Sequence, residues 1–115
     1  LAELEGEDEE QPSVDMKEYE DLRSRHGKLA REMDSVERRL LKRKVYDSLI
    51  DLAGELGLDD EKFSNLYTVI DGLLERWDGT KEDLHQFITF LELAKEKREI
   101  EHNLEELRRK IASSQ

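Results

Sequence analysis

The sequence has no cysteine, a single proline, one tryptophan, six glycines and an aromatic share of only 6%. Without thiols it can form no disulfide, no thiolate metal site and no cysteine nucleophile, which fits a reducing compartment. The lone proline is Pro12, so no later residue interrupts a helix by lacking an N–H. No run of eighteen or more apolar residues occurs and no signal-peptide pattern opens the chain, so no membrane insertion is expected, and the expected location is intracellular, cytoplasmic or nuclear. The chain opens on Leu1 and not on Met, as a piece of a longer protein would.

Catalytic signals are also missing. There is no glycine-rich phosphate loop and no nucleophile elbow, so no enzyme and no cofactor is expected. His85 and His102 are too far apart along one helix to ligate a metal together. The acids Asp59, Asp60 and Glu61, and again Asp78, Glu82 and Asp83, sit where helices begin. There they offset the positive end of the helix dipole, and neither group has the alternating oxygen ligands of a calcium loop.

Charge is abundant: 43% of the 115 residues are charged, apolar residues reach only 36%, and the net charge is −11. That balance belongs to elongated helices with much solvated surface. The charge is unevenly placed. Residues 1–10 carry six acids and no base; residues 17–44 carry ten bases and six acids, a surplus of +4; residues 45–94 carry three bases and twelve acids, or −9. An acidic middle thus follows a basic first arm.

Two apolar seams of equal period bracket the chain. Tyr19, Leu22, His26, Leu29, Met33, Val36 and Leu40 form the first; Phe90, Leu93, Lys97, Ile100, Leu104, Leu107 and Ile111 form the second. Steps of three and four in strict alternation keep one narrow stripe facing a partner helix, the signature of a coiled coil. Stripes this narrow favour two-stranded contact over a four-helix stalk. A parallel self-pair would oppose Glu32 to Glu37, or Glu96 to Glu101, so an antiparallel hairpin within one chain is preferred, with a homodimer as the alternative. One antiparallel register sets Leu22 near Leu104, Glu18 by Lys110 and Arg23 by Glu101; a one-heptad shift pairs Arg39 with Glu96 but opposes Arg23 to Arg108. His26, in an apolar place, is expected to set register and keep its ring edge wet; with an ordinary pKa of about 6.5 it would otherwise make pairing pH-sensitive. Lys97 is expected to snorkel.

Between the arms the apolar face widens. The first helix is expected to run from about residue 14 to residue 55 and stop at Gly57; Asp59 or Asp60 caps a second helix carrying Phe63, Leu66, Tyr67, Ile70, Leu73, Leu74 and Trp77 on one face; Thr80 with Asp83 opens a third. The densest basic run, Arg38, Arg39, Lys42, Arg43 and Lys44, is a candidate contact for an anionic partner. No aromatic side chains are interleaved with it for base stacking, so nucleic acid is an unlikely partner on composition.

The sequence is therefore read as all-α: an acidic disordered lead (1–13), a coiled-coil arm (14–40), a three-helix head (41–89), a second arm (90–112) and a tail (113–115), the head sitting on an antiparallel two-stranded stalk. The expected function is that of a non-enzymatic interaction or assembly module, a scaffold, adaptor or part of a larger coiled-coil protein, whose partner is protein, either itself or a larger helical assembly. The alternative is a nucleic-acid-associated or nuclear regulatory factor using residues 38–44.

Overall fold

The computed structural model describes residues 15–59 and 61–113, and of residues 2–14 it gives the helix backbone alone. The disordered lead expected at residues 1–13 lies outside the fully described residues. The molecule is all-helical: α1 (Ala2–Lys42), α2 (Tyr46–Glu55), α3 (Leu66–Arg76) and α4 (Lys81–Ser113). It measures 68 × 25 × 16 Å with a radius of gyration of 19.4 Å, where a compact domain of this size has about 13 Å. Length comes from α1 and α4, of 41 and 33 residues, which outlast the two short helices.

The helix expected to run unbroken to residue 55 breaks at residues 43–45, so four helical segments, not three, build the head. The break is a Schellman motif. Val45 N–H donates to Leu40 O at 3.1 Å and Lys44 N–H to Leu41 O at 3.0 Å, with Lys44 in the left-handed region at φ 61°. Glycine normally holds that place, and a lysine there hides the stop from sequence reading. The same two bonds recur at the end of α2, where Leu58 N–H reaches Ala53 O and Gly57 N–H reaches Gly54 O, now with Gly57 at φ 85°. Leu40 and Val45 both pack into the head core, which holds the unfavourable lysine conformation in place. Lys44→Gly is accordingly expected to stabilise the fold by about 1 kcal/mol, read as a rise in the urea midpoint. An unchanged or lowered midpoint would contradict the strain assigned here.

The second helix also starts later than expected, at Leu66. Asp59 does not cap it; its carboxylate accepts Glu61 N–H (3.2 Å), Lys62 N–H (3.4 Å) and the Ser64 hydroxyl (3.3 Å), while Asn65 Oδ1 accepts Asp59 N–H at 3.0 Å. This turn places Phe63 at φ 52°, a strained setting for an aromatic residue, and its ring is buried. Helical spacing correctly marked Phe63 as apolar-facing, but the local carboxylate bonds outcompete the helix at that point. α4 begins as its cap signal implies: Thr80 Oγ1 accepts Asp83 N–H at 3.2 Å.

One core joins all four helices. Val36 and Leu40 come from α1, Leu49 and Ala53 from α2, Leu66, Val69 and Leu73 from α3, and Leu84, Phe87 and Leu91 from α4, with Phe63 from the turn. Tyr46 meets Phe90 edge-on at 5.8 Å, which seats α2 on α4, and Leu56 fills the space beside Gly72, which lets α2 approach α3.

Candidate interaction surface

α1 and α4 lie side by side in opposite directions. Arg108 donates to Tyr19 Oη at 3.3 Å, His26 Nε2 is 2.9 Å from Glu101 Oε2, Arg25 pairs with Glu96, and Arg43 pairs with Asp83. Along 19/108, 26/101 and 43/83 the numbers rise on α1 and fall on α4, and the first two pairs place Leu22 level with Leu104. All the seam residues are withdrawn from solvent in part or in full. Leu29, Val36, Leu40, Ile100 and Leu107 are buried; Tyr19, Leu22, His26, Met33, Phe90, Leu93, Lys97, Leu104 and Ile111 are half-buried. The acid–base partners differ from those expected of this alignment: Glu101 takes His26 and, within α4, Lys97 at 3.7 Å and Arg98 at 3.8 Å.

Two carboxyls in this frame titrate low. The Arg43 hydrogen bond holds the Asp83 carboxyl below the usual carboxylate range, against its burial. Burial pushes Glu101 up, but the His26 hydrogen bond and the charges of Lys97, His26 and Arg98 outweigh it, leaving a net lowering. Folded values below the unfolded ones, about 3.9 for Asp and 4.3 for Glu, give stability that is complete above about pH 4.5 and lost as pH falls through the folded values. The thermal midpoint is therefore expected to be level from about pH 5 upward as far as these two groups decide it, and to drop below about pH 4. A midpoint that rose on acidification would contradict both pairings.

Three members of the basic run, Arg39, Lys42 and Arg43, line one groove together with Glu82 and Asp83. Arg38 pairs with Asp34, Arg43 reaches across to Asp83, and Lys44 stands beyond the helix end; Arg39, Lys42 and Lys44 are exposed. A groove of about 470 Å³ beside the 59–65 turn carries Glu61, Lys62, Lys95, Arg98, Glu99 and His102, acids and bases intermixed, so it concentrates neither sign. Among the described residues no three His, Cys, Asp or Glu side chains converge as metal ligands, and no helix is long and apolar enough to cross a membrane.

Two exposed residues of α3 went unrecognised in the sequence. Tyr67 and Leu74, placed there on the core face of the second helix, are 65% and 60% exposed. The available signal is angular: Leu66, Val69 and Leu73 already fill the inward face, and positions 67 and 74, seven apart, fall together on its flank. No known protein family matches the chain, and neither a curated protein nor a solved structure shows significant similarity to it.

Proposed function

We propose that the chain is a non-enzymatic interaction module in which α1 and α4 form an antiparallel two-stranded coiled coil carrying the α2–α3 head at one end. What supports this reading is the lengthwise α1–α4 contact, tied at 19/108, 26/101 and 43/83, in a particle 68 Å long. An arm of that length spaces the head from whatever continues at the other end, and the flanks of the pair remain open to protein partners.

The absence of cysteine makes the test clean. A Leu22→Cys/Leu104→Cys variant should oxidise to a cross-link within one chain, and solution scattering extrapolated to zero concentration should give one-chain mass with a longest dimension near 68 Å. A near-spherical particle, or cross-links only between chains, overturns the hairpin. Deleting residues 1–10 separates the nucleic-acid alternative: removal of six acids strengthens binding to duplex or single strands if the basic run serves phosphates, and leaves binding absent in an interaction module.

A further inference from the structure

The head leaves an apolar strip uncovered. Tyr67 is 65% and Leu74 60% exposed, and at 1.5 Å per residue they stand about 10 Å apart along one side of α3. Asp71 lies one turn from each and Glu75 follows; both carboxylates are exposed. Lys95 Nζ sits 5.1 Å from the centre of the Tyr67 ring on one face.

A second exposed apolar residue has the opposite frame. Leu41, 50% exposed, stands on the last turn of α1 with exposed Arg38, Lys42 and Lys44 around it. Arg43 turns away to Asp83 and Arg38 keeps Asp34, so Arg39, Lys42 and Lys44 supply most of the positive field at this end. One surface thus offers a leucine in a basic frame; the other offers two apolar side chains with Asp71 between them and Glu75 beside them, two acids against the single cation Lys95 on the Tyr67 ring.

We infer that these two surfaces dock on each other between copies of this chain: Leu41 of one copy seats against the Tyr67–Leu74 strip of the next, with Lys42 and Lys44 facing Asp71 and Glu75. This rests on the reading of the chain as an interaction module. Strip on strip would bring the carboxylates of two copies together, and α1 end on α1 end would bring the cations together; both repel, so the complementary contact is the one selected. The contact joins unlike surfaces, so it closes as a reciprocal dimer or runs on to longer species. Few anchors and several rim charges make it weak and sensitive to salt.

Mass measured by light scattering over a concentration series decides the matter. At about 0.1 M salt the average mass should rise with concentration, and at about 1 M salt, where the screening length falls to about 3 Å, it should return toward one chain. Leu74→Asp and Leu41→Asp should each weaken association by about tenfold or more. Asp71→Lys/Glu75→Lys and Lys42→Glu/Lys44→Glu should each abolish self-association, yet an equimolar mixture of the two variants should associate, because each then presents what the other needs. That regain cannot come from misfolding. One-chain mass at every concentration, or association indifferent to these changes, overturns the inference. An elongated monomer would do so while leaving the module reading intact; a spherical particle removes that reading itself.

Discussion

Replacing Phe87 by alanine is expected to remove about 3–5 kcal/mol of stability, the range for deleting a fully buried aromatic ring. Phe87 has no exposed surface and heads the fully buried side chains by volume. Its ring stacks on Phe90 at 6.2 Å, and Phe90 meets Tyr46, so the loss opens a cavity where α4 holds α2. Domains hold about 5–15 kcal/mol in total, so this single change removes between about a fifth and all of it. Trp77, the only tryptophan, lies at the end of α3 and donates its indole N–H to Thr80 O at 3.0 Å, so its fluorescence reports the head. A urea titration followed by that fluorescence and by helical circular dichroism should show the midpoint fall with the slope kept. A loss under about 1 kcal/mol would mean that the ring is not the centre of the core.

Arg43→Met is expected to destabilise by about 1–3 kcal/mol, because Asp83, only 3% exposed, would be left as a buried carboxylate without its cation. The double variant Arg43→Met/Asp83→Leu should recover most of that loss, since an apolar pair carries no desolvation penalty. It should still fall short by a fraction of about 1 kcal/mol, because an acid in the first turn of α4 also offsets the helix dipole. The acid response separates this from simple loss of packing. In the parent chain Asp83 titrates low, and its stabilisation disappears as pH falls below about 4. Without Arg43, burial is opposed by the Thr80 hydrogen bond alone among the side chains, so the folded value rises from its parent position, and the variant's deficit shrinks as pH falls below about 4, where the parent loses the stabilisation it draws from Asp83. A deficit constant across that range would show that Arg43 acts through packing and not through the carboxylate.

The two seams were legible because a period of three and four residues is a property of the helix alone and every half-buried or buried seam position follows from it. The start of α4 was legible for a similar reason, as Thr80 Oγ1 accepts Asp83 N–H within one turn. Where the reading failed, a local rule met a competing contact. Lys44 takes a place that glycine usually marks, and the burial of Leu40 and Val45 sustains it. Asp59 has the chemistry of a helix cap and uses it to fold a turn around Phe63. Nor does the sequence show that Arg43, read there as part of the basic run, bonds to Asp83, forty residues away.

Composition and period by themselves determined that the chain is helical, that α1 and α4 are long, and that each carries one narrow apolar stripe, because these depend on spacing within about four residues. Which partners those stripes and charges meet was decided by the tertiary structure: the alignment of Tyr19 with Arg108 and His26 with Glu101, the fold-back at Lys44, and the exposure of Tyr67 and Leu74. The reason is geometric. α3 presents more apolar residues than its inward face holds, and only the packing of α2 and α4 against it settles which are covered and which are left for another surface.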